Sequence, residues 1–195
     1  EQCVGDYTMT RVSNDKIVIN PKELKARLGG ADDSASKEFT DSVADEILSA
    51  MNCSYILKKT DIRFTENGCN LGFGNIASAN LRRNLTGCGS AYVLAATIGH
   101  DVDRVLRNAS LVSTAKHFVL DAVASSAVEA LCDYIQDSLP EQTKARFAPG
   151  YGDFTLEMQG RLLEFVDAYK IGISVNDSFM MTPMKTITAI MGIKL

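Results

Sequence analysis

The sequence predicts a single α+β domain in which helices pack on a largely antiparallel sheet. Short segments with alternating or β-branched residues occur near both ends of the chain, and amphipathic helical segments lie between them. The apolar run "GSAYVLAATIG" is bounded by glycines and has the length of a buried strand, so we expect it at the centre of the sheet. A length of 195 residues suits one well-cored domain, and residues 1–195 are predicted to form one unit.

The N-terminal third predicts short strands and two helices. Alternation in "YTMTRV" and "KIVIN" indicates a strand pair, and "PKELKARLGG" indicates a short helix because Pro21 suits a first turn and Gly29-Gly30 suits a helix end. Apolar residues recur every fourth position over residues 36–51, which are predicted as an amphipathic helix. The segment "CSYILKKTDIRFT" that follows is predicted as one or two strands.

A glycine-rich stretch, "NGCNLGFGNIASAN", comes before the central strand. It lacks the third glycine of a dinucleotide-binding fingerprint and the Gly-Lys-Ser/Thr of a P-loop. It therefore predicts a turn that leads into a short helix near residues 76–85.

The second half of the chain predicts three more helices and two strands. "DVDRVLRNA" indicates a short helix, and a long helix begins at Ser113, along which Asp121, Ser125 and Glu129 share one face through their i, i+4 spacing. "TLEMQGRLLEFVDAYK" indicates another helix, and "IGISVNDSFMMTPMKTITAIMGIKL" two strands joined near residue 183. We interpret Lys185 as a solvated strand charge rather than a contact to a phosphate-bearing partner.

Composition limits the classes of function. The net charge is −4 and the 20 Lys and Arg are dispersed, which argues against nucleic-acid partners. No apolar window is long enough to span a membrane and no signal-peptide pattern opens the chain, so a cytoplasmic protein with no membrane partner is expected. The chain has two histidines and no Cys-x-x-Cys pair, which argues against a metal site. Free buried thiols are predicted for Cys3, Cys53, Cys69, Cys88 and Cys132.

The turn "ARFAPGYGDF" has two interpretations. In the first, which composition favours, Arg146 interacts with the last carbonyls of a helix, Pro149-Gly150 forms a tight turn and Tyr151 is a core aromatic. In the second, the Arg146 guanidinium binds a carboxylate at two points. The backbone groups from Ala148 to Gly150 would then lie open to a flat ligand.

Three motifs resemble the activation domain of cobalamin-dependent methionine synthase. "RFAPGY" resembles its Arg-x-x-x-Gly-Tyr motif, and "AVEALCDYI" resembles its helix with a ligand-binding glutamate, which falls on Glu129. "GISVNDSFMMTPMKTITA" is similar to a family stretch with a Ser-Phe-x-Met-x-Pro core. The motifs stand in the family's order within residues 96–195, whereas residues 1–95 form a weakly matched N-terminal part.

The resemblance implies a C-shaped domain whose twisted, mainly antiparallel sheet and flanking helices hold S-adenosylmethionine. The implied ligand contacts are Glu129, Arg146, Ala148, Gly150 and Tyr151, with Glu129 as the acidic partner. One arginine with a nearby acid suits the carboxylate and the ammonium of the methionyl end of such a ligand. The resemblance implies neither a catalytic side chain nor a metal ligand in this chain.

The implied function is reductive methylation, or reactivation, of cob(II)alamin. The chain contains neither a cobalamin-ligating Asp-x-His-x-x-Gly loop nor a zinc-binding cysteine trio. We therefore expect a stand-alone module for methionine biosynthesis that acts in trans on a cobalamin-binding (vitamin B12) methyltransferase component, with a flavodoxin-like electron donor as a further partner.

Two alternatives to this function stay open. The chain could be a scaffold subunit of a corrinoid methyltransferase complex that has lost the ligand. Met191 stands where the family has a tyrosine, and the family's N-terminal aspartate has no counterpart. The second alternative is an independent S-adenosylmethionine-dependent methyltransferase.

Overall fold

The computed structural model describes residues 7–30 and 34–194. The described strands are β1 (Tyr7–Arg11), β2 (Ser54–Asp61), β3 (Arg63–Thr65), β4 (Gly68–Asn70), β5 (Asn75–Ile76), β6 (Ser90–Thr97), β7 (Ser174–Val175), β8 (Met181–Thr182) and β9 (Thr186–Gly192). The described helices are α1 (Pro21–Arg27), α2 (Ser34–Ala50), α3 (Ala79–Leu85), α4 (His100–Val112), α5 (Thr114–Asp137) and α6 (Met158–Phe165).

The main sheet has four antiparallel strands in the spatial order β1-β2-β6-β9. Strand β6 lies between two partners, with Ala95 opposite Ile56 on one side and Thr188 on the other. Every residue of β6 from Ala91 to Thr97 is buried, because elements cover both faces of the sheet. The prediction that this run is an inner strand is confirmed.

Helices cover both faces of the sheet. On one face, α2, α4 and α5 pack together over side chains such as Leu94 of β6 and Met191 of β9. On the other face, α3, α6 and the strand pair β4–β5 cover Val93 and Ile190. Side chains that face the two sides of the sheet alternate along each strand, as the two-residue repeat of a strand requires. The predicted class, a mixed α+β domain with a mainly antiparallel sheet and flanking helices, is confirmed.

Local signals place most helix starts correctly. Pro21 opens α1 and the Asn20 side chain accepts a hydrogen bond from the Lys22 amide. Ser113 caps α5 in the same way through the Lys116 amide. The helix predicted over residues 36–51 forms as α2, residues 34–50, and the short helix predicted near residues 76–85 forms as α3.

The strand predicted for "KIVIN" is wrong. Residues 14–16 form a 3-10 turn, and β1 pairs with β2 instead. The Asn14 amide group donates to the carbonyls of Leu48 and Met51, which ties this segment to the end of α2. Ile17 then packs into the core from a non-strand backbone.

The segments after residue 155 differ in extent from the prediction. Helix α6 is shorter than "TLEMQGRLLEFVDAYK", because Asp167 adopts a left-handed conformation with φ 57° and residues 168–171 form a 3-10 turn. The C-terminal strand pair is also unequal. Strands β7 and β8 form a separate two-stranded ribbon, and only β9 joins the main sheet.

Candidate functional site

A cavity of about 640 Å³ lies at the outer edge of the main sheet. Its walls are α5, the turn of residues 145–151, the first half of β9 and residues 179–184. Four of the five predicted site residues, Glu129, Arg146, Ala148 and Tyr151, line it, and Gly150 lies within the same turn. The structure thus brings together the residues that the sequence singles out, while their contact with a ligand remains a prediction.

The turn is positioned because the chain before it extends the sheet. Phe147 pairs with Ile190 of β9 through two backbone hydrogen bonds of 3.0 and 2.8 Å, and Thr143 lies opposite Ile193. Successive side chains of an extended segment point to opposite faces. Phe147 therefore packs near Phe154, with ring centroids 6.3 Å apart, while Arg146 points to the face that carries α5.

Arg146 is bound by three side chains of α5. Its Nη2 donates to Glu129 Oε2 at 3.0 Å, and its Nη1 donates to Asp133 Oδ1 at 2.8 Å and to Gln136 Oε1 at 3.2 Å. Burial lowers the pKa of Arg146, but the hydrogen bond to Asp133 and the nearby charges raise it more, so the net shift is upward. The guanidinium is therefore a permanent cation between two acids. The interpretation of Arg146 as a cation at helix carbonyls is wrong.

The polar face predicted for α5 is confirmed, and it binds a second cation. Lys185 Nζ donates to Asp121 Oδ1 at 2.7 Å and to Ser125 Oγ at 2.8 Å. The Lys185 side chain is only 14% exposed, so its interpretation as a solvated strand charge is wrong. The reason is that β9 begins against α5, where an acid and a hydroxyl one helical turn apart meet the ammonium.

The backbone of the turn is less open than predicted. The Gly150 amide donates to the Phe154 carbonyl at 2.7 Å, and the Ala148 carbonyl accepts from the Tyr151 amide at 3.1 Å. The turn thus satisfies two of its own groups through short-range bonds. Gly150 has φ 94°, a conformation that favours glycine.

Tyr151 is a wall of the cavity and not part of the core. Its side chain is 57% exposed, and its ring meets Phe147 edge-on with centroids 6.0 Å apart. The core interpretation of Tyr151 is therefore wrong. An exposed aromatic ring on the wall of a largely apolar cavity suits a flat ligand that stacks against it.

Sequence reasoning missed two polar side chains that line the cavity, Gln159 and Asp133. Gln159 is 2% exposed, and its Nε2 donates to Thr188 Oγ1 at 2.8 Å and contacts Met181 Sδ at 3.1 Å. The local signal was the position of Gln159, three and four residues before the apolar Leu162 and Leu163 and thus on the same face of α6. Asp133 was also missed, although it continues the four-residue spacing of Glu129 by one more turn.

Other chemistry is limited within the described residues. No group of three or more His, Cys, Asp or Glu side chains there is placed to hold a metal ion. Cys53, Cys69, Cys88 and Cys132 are buried and free, as predicted, and Cys3 lies outside the described residues. Burial raises the pKa of Cys132 to about 12, so this thiol beside the site is protonated at neutral pH. Among the helices within residues 7–30 and 34–194, none is long and apolar enough to cross a membrane.

Comparison with known proteins identifies a shared fold. No protein-family model matches the sequence, and no curated protein matches it. Among solved structures, the chain is similar to the crystal structure of the MetH reactivation domain bound to AdoHcy, with a TM-score of 0.72 and 12% sequence identity. The likeness covers 96% of this chain and 78% of that chain. At this identity it establishes the fold.

Proposed function

We propose that this protein is an S-adenosylmethionine-binding activation module that supports reductive methylation of cob(II)alamin. The cobalamin is carried by a cobalamin-dependent methionine synthase or a related corrinoid methyltransferase, on which the module acts in trans. One observation carries the proposal: Arg146 and Glu129 lie side by side on the wall of a cavity in a fold shared with a domain whose structure contains AdoHcy.

The cavity suits this ligand in size and in charge. Its volume of about 640 Å³ lies within the usual range for small-molecule sites, roughly 300–1,000 Å³. Glu129 and Asp133 against Arg146 leave one net negative charge. S-adenosylmethionine carries a carboxylate, an ammonium and a sulfonium, which leave one net positive charge. The two charge distributions are therefore complementary.

Each residue of the site has a role in binding. Arg146 would bind the ligand carboxylate and Glu129 the ammonium, since charge-assisted hydrogen bonds are the strongest available in a partly exposed site. Ala148 and Tyr151 would hold the flat adenosyl part against the turn that Gly150 makes possible. When bound, S-adenosylmethionine supplies a methyl group to the partner's cob(II)alamin, which also takes one electron from a separate donor, and S-adenosylhomocysteine is the product. This chain positions the donor and supplies no base or nucleophile.

Calorimetric titration of S-adenosylmethionine and S-adenosylhomocysteine tests the proposal. We expect saturable binding to the wild type, and Kd values raised about 10- to 100-fold in Arg146→Ala and Glu129→Ala, because each change removes a charge-assisted hydrogen bond. Arg104→Ala is the control, since that side chain is 73% exposed on α4 and pairs with Asp101, three residues earlier on the same helix. Circular dichroism of all variants checks that they fold.

A second assay addresses the partner. The chain is added to a cobalamin-binding methyltransferase in the cob(II)alamin state together with S-adenosylmethionine and a chemical reductant, and methylcobalamin is followed by its absorption. If the ligand binds in the calorimetric assay but no methylcobalamin forms in the second assay, the chain binds the ligand without supporting reactivation of this partner. Absence of binding to the wild type at millimolar ligand refutes the proposal and leaves the scaffold alternative, which the acid–arginine arrangement in the cavity does not favour.

A further inference from the structure

The guanidinium of Arg146 is already engaged by side chains of its own protein. Both hydrogens of Nη1 have acceptors, Asp133 at 2.8 Å and Gln136 at 3.2 Å, and Nη2 has Glu129 at 3.0 Å. Two-point binding of a carboxylate needs a pair of parallel N–H groups on adjacent nitrogens. A ligand carboxylate can therefore use the outer Nη1–Nη2 edge only when one of these acceptors leaves.

The three acceptors differ in how firmly they are held. Gln136 is fixed from its other end, because its Nε2 donates to Thr143 Oγ1 at 2.8 Å and to the Lys144 carbonyl at 3.1 Å. Glu129 is 31% exposed, whereas Asp133 is 60% exposed. An exposed carboxylate regains most of its hydration when it turns away from its partner. Asp133 is thus the acceptor that can leave at the lowest free-energy cost.

We propose that Asp133 occupies the place on Arg146 that the carboxylate of the ligand takes, so that binding exchanges one carboxylate for another. The inference rests on the proposed function and identifies a specificity-determining residue of the same site. Asp133 then has two opposite effects. It competes with the ligand carboxylate, and once released it lies beside the ligand as an unpaired negative charge.

The exchange determines which ligands bind well. A ligand without a carboxylate cannot replace Asp133 on Arg146 and gains nothing from this part of the site. For a ligand with a carboxylate and a net positive charge, two contacts add to the affinity. Its carboxylate binds Arg146, and the released Asp133 attracts its positive charge. The site therefore favours the sulfonium ligand S-adenosylmethionine over its neutral product S-adenosylhomocysteine, which assists release of the product.

The test compares Asp133→Asn with Asp137→Asn. Asp137 lies one turn further along α5, is exposed and is not part of the cavity wall, so its substitution makes the same change in net charge without touching Arg146. The ligands are S-adenosylmethionine, S-adenosylhomocysteine and 5′-methylthioadenosine, which lacks the amino-acid end. Affinities are measured by calorimetry at two salt concentrations.

For Asp133→Asn we expect S-adenosylhomocysteine to bind about three- to fivefold more tightly, the size of an exposed ion pair that no longer competes. The gain for S-adenosylmethionine is smaller, because the released charge is lost, and the affinity for 5′-methylthioadenosine is unchanged. Arg146 also reacts faster with phenylglyoxal in Asp133→Asn than in wild type or Asp137→Asn, as measured by peptide mass spectrometry. This labelling does not depend on any ligand.

Two results overturn the inference alone. If the wild type binds the ligands but Asp133→Asn binds S-adenosylhomocysteine equally or more weakly, the carboxylate does not replace Asp133. Equal labelling of Arg146 in all three proteins means that Asp133 does not shield the guanidinium. If no adenosyl compound binds wild type or Asp133→Asn, the proposed function fails and the exchange fails with it.

Discussion

The ion pair between Lys185 and Asp121 should contribute measurably to stability. Lys185 Nζ lies 2.7 Å from Asp121 Oδ1 and 2.8 Å from Ser125 Oγ, and the lysine side chain is 14% exposed. The pair of Arg104 and Asp101 on α4 is a natural comparison, with a 3.1 Å contact and side chains 73% and 58% exposed. The two pairs have the same charges but differ in burial.

The difference in burial sets the expected energies. A hydrogen bond to a charged group contributes roughly 1.5–3 kcal/mol when it is buried, and an exposed ion pair contributes about 0.2–1 kcal/mol. Asp121 is 45% exposed, so water screens part of its attraction to Lys185. We therefore expect a coupling energy of about 1–2 kcal/mol for Lys185 with Asp121, and less than about 0.5 kcal/mol for Arg104 with Asp101.

Two double-mutant cycles measure these couplings by urea unfolding. One uses Lys185→Met, Asp121→Asn and the double variant, and the other uses Arg104→Met, Asp101→Asn and their combination. Methionine keeps the apolar stem of each long side chain, so that packing changes little. Equal coupling in the two cycles, or a value below about 0.5 kcal/mol for the inner pair, would refute the argument that burial of Lys185 strengthens its pairing.

The turn beside α3 and a buried thiol give three further predictions. The hydrogen bond from Ser78 and the amides at the start of α3 lower the pKa of Asp153. Asp153→Asn should therefore lower Tm at pH 7. The difference from wild type should begin to shrink near pH 4, where the carboxylate of the unfolded chain gains its proton, and should vanish as the pH falls through the lowered pKa of the folded state. Gly152→Ala should cost about 1–3 kcal/mol in urea unfolding, because a Cβ would lie 2.4 Å from Asn80 Nδ2 at φ 56°. Cys132 should be alkylated by iodoacetamide only after unfolding.

Each of these predictions has a contrary outcome. A Tm difference for Asp153→Asn that stays constant from pH 7 to pH 3 would mean that its charge does not stabilise the fold. Gly87 has φ 82° and nothing within 4 Å of an added Cβ, so Gly87→Ala isolates the cost of the left-handed backbone. An equal cost at Gly152 and Gly87 would show that Asn80 moves aside freely. Alkylation of Cys132 in the native protein would contradict its burial.

The spacing of residues in the sequence predicted those features of the site that depend on nearby positions of the chain. The four-residue spacing of Asp121, Ser125 and Glu129 placed them on one face of α5, and the structure has them there. The same spacing reached Asp133, so its place on this face was available from the sequence. Helix faces are predictable because the α-helix has a fixed geometry whatever packs against it.

Contacts between distant segments were not predictable in this way. Gln159 donates a hydrogen bond to Thr188, which lies 29 positions later in the chain. The residues next to either side chain give no information about this pairing. The pairing of β1 with β2 likewise overrode the alternation in "KIVIN". One of the two interpretations of the sequence made Arg146 a carboxylate binder, but it did not indicate that α5 would supply two carboxylates to the guanidinium.

The position of the binding acids on α5 has a consequence for the motions of the site. Helix α5 is 24 residues long, and half of its residues are buried, most of them in the core between the main sheet, α2 and α4. Amides in such a helix exchange with solvent only when the whole domain unfolds. We therefore expect the backbone around Glu129 to be among the slowest to exchange, and the cavity to adapt to a ligand through rotation of side chains. We expect any larger opening in residues 179–184, which lie outside the four-stranded main sheet and where the Met180 side chain is 62% exposed.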